Sequence, residues 1–148
     1  MEIADLLTAD RVALNVRVRD KRGLIAEIAR LASAHTPGLA AAAIEGALLA
    51  REQLGSTGVG AGVALPHARL DGLAEFVGLY VRPARAVDFD AIDRKPVDSV
   101  FLLLIPGASA DHVSALAAVS RLLRDPDVRT RLREAASPAD TWRILTQR

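Results

Sequence analysis

The residues best suited to chemistry lie in one stretch, REQLGSTGVGAGVALPHAR, which begins at Arg51 and ends at Arg69. It contains His67, and neutral imidazole is a good nucleophile near neutral pH. A transferred phosphoryl group spreads negative charge over three oxygens, so it needs positive or dipolar partners more than covalent help. The stretch therefore predicts phosphoryl capture on His67, with Arg51, Arg69 and the hydroxyls of Ser56 and Thr57 near the phosphoryl group.

A glycine-rich segment from Gly55 to Gly62 precedes this histidine, and Pro66 stiffens the approach to it. Glycine permits backbone geometries that let N–H groups crowd around an anion, so we expect a structured loop here. The segment lacks the Gly-Lys-Ser/Thr ending of a P-loop and does not spell Gly-x-Gly-x-x-Gly. Nucleotide binding is therefore not expected.

A second histidine, His112, opens a predicted helix over 111–124. On a helical wheel it falls within about 40° of Leu116, Val119 and Leu123, so we expect it to face inward. The positive end of the helix dipole disfavours its protonated form and suits a neutral hydrogen-bonding partner. A supporting place near the phosphoryl group and a purely structural role both remain open. His35, at the end of another predicted helix, is expected to be structural.

Two other kinds of site fit these residues less well. Ser56, His67 and Asp71 have the residue types of a hydrolase triad, but the Gly-x-Ser-x-Gly elbow is missing. His67, Asp111 and His112 could nominally bind zinc, although no pair has close helical ligand spacing. We expect neither a metal nor a cofactor.

Strands and helices that must position these residues alternate along the chain. Period-2 alternation predicts a strand over 12–18, and Asp20 is the expected N-cap of the next helix. The remaining predictions are helices over 21–35, 39–53, 111–124, 126–135 and 138–147, and strands over 63–65, 76–81 and 100–105, the last buried on both faces. This order predicts an α/β fold with helices flanking a sheet.

Length and composition favour one globular domain over residues 1–148. Nineteen basic and eighteen acidic residues leave a net charge of +1, so no overall field favours nucleic acid or a membrane surface. The chain has no cysteine, no recognisable signal peptide and no apolar run of membrane-spanning length. We expect a cytoplasmic protein without stable membrane insertion or nucleic-acid binding.

The run from Arg51 to Arg69 together with Asp111-His112 resembles the enzyme IIA family of the bacterial phosphotransferase system, of fructose and mannitol type. IADLL at residues 3–7, VDFDAID at 87–93 and VFLLL at 100–104 resemble its nitrogen-regulatory branch. Two departures stand out. Ala61 replaces an asparagine common in relatives, and Ala68-Arg69 replaces the Gly-Lys of many nitrogen-regulatory members.

The resemblance implies a single domain with a small mixed sheet and flanking helices. It implies that His67 accepts a phosphoryl group from a histidine phosphocarrier protein, with Arg51 and His112 in supporting places. Such a chain is a phosphocarrier rather than an enzyme that turns over a small molecule. It would act as a regulator of transporters or kinases, as a sugar-specific component that passes phosphoryl to a IIB cysteine, or as a non-catalytic interaction protein. No IIB or IIC segment is recognisable, which favours regulation.

Overall fold

A computed structural model describes residues 1–147, and residue 148, the last of the predicted domain, lies outside the described residues. Two short 3₁₀ turns, Ile3–Asp5 and Ala9–Arg11, precede the first strand. The strands are β1 (Val12–Val16), β2 (Gly58–Gly60), β3 (Val63–Ala64), β4 (His67–Leu70), β5 (Val77–Pro83) and β6 (Ser99–Pro106). The helices are α1 (Lys21–Ser33), α2 (Ala41–Gln53), α3 (His112–Leu123), α4 (Pro126–Glu134) and α5 (Pro138–Thr146). The predicted α/β fold with a small mixed sheet is confirmed.

The sheet is organised around β6, which is buried along nearly its whole length, as its uninterrupted apolar sequence predicts. β5 pairs with one side of β6 in antiparallel fashion, and β1 extends the sheet beyond β5 in parallel. On its other side β6 pairs in parallel with both β3 and β4. The antiparallel strand β2 lies beyond β3. The sheet is therefore mixed, with β4 along an edge.

β3 and β4 lie end to end along β6 in one unbroken register. Val63 lies opposite Ser99, and His67 lies opposite Leu103 with the same offset. The carbonyl of Pro66 accepts a hydrogen bond from the Leu103 N–H at 3.0 Å, so pairing continues across the gap between the two strands. The position of His67 is consequently fixed by the backbone of the central strand.

Two hydrophobic cores cover the two faces of the sheet. Alternate residues of β6 point in opposite directions, so Leu102 and Leu104 pack beneath α1 and α2, while Phe101 and Leu103 pack beneath α3, α4 and α5. The faces are thus both covered by helices, in a three-layer arrangement. Among residues 1–147, none of the helices combines the length and the hydrophobicity needed to span a bilayer.

Most predicted element boundaries agree with the structure to within a few residues. The carboxylate of Asp20 accepts a hydrogen bond from the Gly23 N–H at 2.8 Å, which confirms it as the N-cap of α1. The strand predicted over 12–18 ends at Val16. α3 begins at His112, with Asp111 as its N-cap residue.

One prediction near the histidine was wrong, because the glycine-rich segment expected to be a loop contains a strand, β2. His67 follows the buried strand β3, and it also begins a strand of its own, β4, which the sequence did not indicate. Neither GVG nor HARL has a sequence pattern that indicates a strand, because both are short and rich in residues with low β-propensity. Pairing with β3 and β6 supplies what the local sequence lacks.

Candidate functional site

The imidazole of His67 is half-buried at the start of the edge strand β4. Its Nδ1 lies 2.8 Å from the carbonyl oxygen of Leu65. Because a carbonyl can only accept, Nδ1 carries the proton and donates it to Leu65. In the neutral ring Nε2 is then the nitrogen with the free lone pair, which is the nucleophilic atom.

Arg51 lies beside this lone pair, in the last turn of α2. Its Nε–H donates to His67 Nε2 at 3.3 Å, and its Nη1 donates to the carbonyl of Gly55 at 2.9 Å. The second bond anchors the guanidinium at the helix end, where a positive charge is also favoured by the helix dipole. A cation therefore stands next to the atom that would receive a phosphoryl group.

A cavity of about 400 Å³ opens beside the ring. Its lining is largely apolar and comes from the end of α2, the segment 56–59, β4 and one face of α3. α3 contributes Val113, Leu116, Ala117 and Ser120. His67 thus lines a shallow, largely apolar depression.

The two predicted hydroxyl groups reach the cavity wall but are bonded to the protein. Ser56 Oγ donates to the carbonyl of Phe89 at 2.7 Å, and it accepts from the Gly58 N–H at 3.0 Å. Thr57 is 3% exposed, and its hydroxyl donates to a carboxylate oxygen of Glu52. Their contact with a phosphoryl group stays a prediction, and it would require each hydroxyl to exchange its present acceptor.

Arg69 and His112 form a second unit on the same side of the sheet. The Arg69 guanidinium donates to the carbonyls of Gly107 and Ser109 at 3.0 and 2.7 Å, and to Nδ1 of His112 at 2.9 Å. His112 accepts at Nδ1, so its neutral ring keeps its proton on Nε2. Arg69 therefore holds both the loop before α3 and the tautomer of the second histidine.

A partner that exchanges a phosphoryl group must dock around His67, so the apolar residues near it in sequence, Leu65, Ala68, Val59 and Leu70, are the expected rim. The structure leaves one of these four exposed. Val59 is 52% exposed, whereas the other three are buried. Alternation along β4 explains the burial of Ala68 and Leu70, which point into the core beneath α1 and α2, while His67 and Arg69 point to the other face. Val113, at 66% exposure, lines the cavity beside His67 and is a rim residue that the sequence did not indicate. Ile92, at 83% exposure, lines an adjoining depression.

Sequence reasoning also missed Glu52, the neighbour of Arg51. Its carboxylate lies 2.9 Å from Nζ of Lys21 and accepts from the backbone N–H of Thr57. The sequence did contain an indication of its role: Glu52 is a carboxylate in the last turn of a predicted helix, where the helix dipole disfavours negative charge. Such a residue needs a specific partner.

Comparison with known proteins identifies the family of this chain. The family described as "Phosphoenolpyruvate-dependent sugar phosphotransferase system, EIIA 2" matches residues 5–148. A nitrogen regulatory protein from Bradyrhizobium diazoefficiens is 42% identical over 98% of this chain and 95% of its own length. The crystal structure of nitrogen regulatory protein IIA-Ntr from Neisseria meningitidis has a TM-score of 0.91 and 34% identity, and covers 97% of this chain and 99% of that one.

A more distant structure shares the fold alone. The Escherichia coli complex of enzyme IIAMtl and phosphorylated enzyme IIBMtl matches with a TM-score of 0.79 at 18% identity, covering 96% of this chain and 98% of that one. The family match extends over almost the whole sequence, and the relative from Bradyrhizobium aligns over nearly its full length. The chain therefore belongs to the EIIA 2 family of the phosphoenolpyruvate-dependent sugar phosphotransferase system, in the branch of the nitrogen regulatory proteins.

Proposed function

We propose that this protein is a regulatory phosphocarrier that accepts a phosphoryl group on Nε2 of His67 from a histidine phosphocarrier protein. The observation that carries the proposal is the state of the ring: Nδ1 is committed to the Leu65 carbonyl, and Nε2 presents its lone pair beside Arg51. A nucleophile of fixed tautomer next to a cation is what phosphoryl capture requires. Membership of the EIIA 2 family supports the same chemistry.

The transfer itself can be written as an in-line displacement. The Nε2 lone pair attacks phosphorus, a new P–N bond forms, and the P–N bond to the donor histidine breaks with its electrons returning to the donor ring. When the donor ring is protonated on its other nitrogen, each ring keeps its own proton and none has to be moved. The resulting His67 imidazolium donates a charge-assisted hydrogen bond to Leu65, stronger than the one in the free protein.

Arg51 has to change partner during this step. Its Nε–H now occupies the lone pair of His67, so it must leave before attack and then face the incoming phosphoryl oxygens. A guanidinium about 5 Å from a unit negative charge contributes on the order of 3 kcal/mol at an effective dielectric of roughly 20. His112, which has its Nε2–H free of the bond to Arg69, is proposed as a further donor.

Phosphorylation would convert the apolar depression into a strongly charged surface. A phosphohistidine adds about two negative charges, and this charge changes which partner proteins can dock on the depression. We propose that the protein signals in this way, in the cytoplasm, to transporters or kinases. The relatives named as nitrogen regulatory proteins support this choice.

A second candidate is a sugar-specific enzyme IIA that passes the phosphoryl group to a IIB cysteine. The shared fold with an enzyme IIAMtl solved in complex with phosphorylated enzyme IIBMtl favours it. A third is an interaction protein without transfer activity. The three differ in whether His67 is labelled and in where the label goes next.

The test is labelling with phosphoenolpyruvate, enzyme I and the carrier protein. The wild type should be labelled and His67→Ala should not, because the acceptor nitrogen is gone. His35→Ala is the matched control, since His35 is also half-buried but lies at the end of α1. Equal labelling of wild type and His67→Ala would contradict the site, and labelling of neither would favour the interaction protein. Onward transfer to a IIB cysteine would favour the sugar-specific candidate.

A further inference from the structure

A path of hydrogen bonds starts and ends on two consecutive residues of α2, Glu52 and Arg51. The carboxylate of Glu52, 6% exposed, accepts from the backbone N–H of Thr57 at 3.1 and 3.2 Å and from the Thr57 hydroxyl. Three bonds from one residue fix the turn that follows α2. Glu52 is thus joined to the segment that leads into the phosphoryl site, although it does not line the cavity.

The path continues from Thr57 to the imidazole. The carbonyl of Thr57 accepts from the Leu65 N–H at 2.9 Å, and the carbonyl of Leu65 accepts from Nδ1–H of His67 at 2.8 Å. The residue whose carbonyl accepts the imidazole N–H is therefore itself held by Thr57 through its own backbone N–H. Arg51 closes the path at His67 Nε2. Both ring nitrogens of His67 are linked to the same turn of α2.

Lys21 provides the positive counter-charge next to the buried carboxylate of Glu52. Its Nζ lies 2.9 Å from Glu52, 3.5 Å from Asp90, and 4.8 Å from the centre of the Phe89 ring. Burial of a carboxylate is costly unless a counter-charge and hydrogen bonds compensate it. Glu52 has both, so it can act as a rigid acceptor for Thr57.

We propose that Glu52 is a positioning residue for phosphoryl transfer: through Thr57 and Leu65 it holds His67 in the tautomer that leaves Nε2 nucleophilic. The proposal rests on the function proposed above. The proton position on a histidine ring is set by the hydrogen bond that the other nitrogen makes. When Glu52 no longer holds Thr57, the Leu65 carbonyl loses its alignment, and part of the population places the proton on Nε2.

The experiment combines kinetics with nitrogen NMR on the full-length protein. In Glu52→Gln, the carrier-dependent transfer rate at saturating carrier should fall about 10-fold, the loss expected when a hydrogen bond to a charged group is removed. The carrier concentration for half-maximal rate should stay the same, since the docking surface is untouched. The ¹⁵N shifts of the His67 ring should move toward those of the Nε2–H tautomer.

Variants of Thr57 test the path itself. Thr57→Val should reproduce the kinetic and NMR changes of Glu52→Gln, and the double variant should lose no more than either single one, because both break the same path. Thr57→Ser keeps the hydroxyl and should recover most of the rate lost in Thr57→Val. Additive losses in the double variant would overturn the proposal.

Glu45→Gln is the matched structural control. Glu45 is another carboxylate of α2 that pairs with α1, at 3.9 Å from Arg22, and it has no bond to the 55–58 turn. The proposal would be overturned if His67 keeps the wild-type tautomer in Glu52→Gln. It would also be overturned if the slower transfer of this variant is explained entirely by the fraction of its molecules that are unfolded. If the wild type is not phosphorylated at all, the proposed function fails, and the ¹⁵N shifts still decide whether Glu52 sets the tautomer.

Discussion

The two nitrogens of His67 do different work. Nδ1 donates a hydrogen bond to the carbonyl of Leu65, and Nε2 meets the guanidinium of Arg51. A backbone acceptor cannot rotate away as a side-chain carboxylate can, so the orientation of the ring depends on what holds the Leu65 backbone: the pairing along β6 and, as proposed above, the turn that Glu52 fixes. Arg51 contacts the ring through its side chain, so a substitution at this position tests its role directly.

Replacing Arg51 should slow phosphoryl transfer in a graded way. Arg51→Met removes the charge and should reduce the rate from the carrier about 100-fold, from the roughly 3 kcal/mol of a nearby cation. Arg51→Lys keeps the charge but loses the planar fork that can pair with two phosphoryl oxygens, so about a 10-fold loss is expected. Rapid-quench labelling measures both.

Arg22→Met, at an exposed arginine of α1, serves as the control and should transfer at the wild-type rate. Transfer by Arg51→Met at that same rate would show that Arg51 belongs to the end of α2 and not to the reaction.

The β2–β3 hairpin is the element that brings the glycine-rich segment against the sheet. Its turn consists of Gly60, Ala61 and Gly62, all with positive φ, at 102°, 57° and 80°. A Cβ on Gly62 would lie 2.8 Å from a carboxylate oxygen of Asp98, so glycine is required there. Ala61 has no such requirement and carries a side chain in the left-handed region.

Ala61→Gly should stabilise the protein, because an L-residue in the left-handed region costs roughly 1–2 kcal/mol and glycine avoids this cost. Part of the gain is offset, since glycine has more conformational entropy to lose from the unfolded chain. We expect the free energy of unfolding to rise by about 0.5–1 kcal/mol in urea titrations. Ala43→Gly, at an exposed position of α2, should lower it by about as much. A loss of stability in Ala61→Gly would mean that the Ala61 methyl makes a contact worth more than the strain.

Val59, Ile92 and Val113, three of the exposed large apolar residues in the described part of the chain, lie around the site, while Met1 and Leu54 lie outside it. The cavity beside His67 adjoins a second depression of about 520 Å³, and the two share Val59, Leu65 and Ser120. Exposed Val59 and Val113 border the first, and exposed Ile92 borders the second. A contiguous exposed apolar patch on a protein marks an interaction surface.

Val59→Glu should weaken docking of the carrier, because it places a carboxylate in this apolar surface. We expect carrier-dependent labelling to slow about 10-fold at sub-saturating carrier and to recover at high carrier concentration. The control is Ala139→Glu on α5, which packs against β1 at the opposite edge of the sheet. Equal labelling rates in the two variants would place the docking surface elsewhere.

The stability of the whole domain should fall in strong base because of Tyr80. Burial raises the pKa of Tyr80 to about 12 from the usual 10.0, and its hydroxyl bonds Ser99 Oγ at 2.7 Å. Between these values the unfolded chain loses the phenol proton while the folded protein keeps it, so the contribution of Tyr80 to stability is fully present below about pH 10 and is lost as the pH rises toward 12.

The expected loss is on the order of 2 kcal/mol, read from urea titrations at successive pH values. Tyrosinate absorbance follows the same group, since the chain has one tyrosine. In Tyr80→Phe, the part of the decrease in unfolding free energy between pH 10 and 12 that comes from Tyr80 should be absent. A folded-state phenol that titrates near pH 10 would contradict the prediction.

The sequence by itself determined the class of fold, the N-cap of α1, most helices, and the family. Helical periodicity, N-cap residues and a long apolar strand depend on neighbouring residues, so they are legible locally. The same holds for His67 and Arg51 as candidates, because Pro-His after a glycine-rich segment is a local pattern. Their roles as acceptor and cationic partner remain proposals.

Only the tertiary structure decided how those residues meet. His67 starts a strand that local propensity does not indicate, and Arg69 turns toward His112 and the loop before α3. The importance of Glu52 could be recognised only from its contacts with Thr57 and Lys21 in the folded protein. These features depend on pairing between distant segments, where β6 sets the register and burial makes every unsatisfied polar group costly, and that information is not local to any stretch of the sequence.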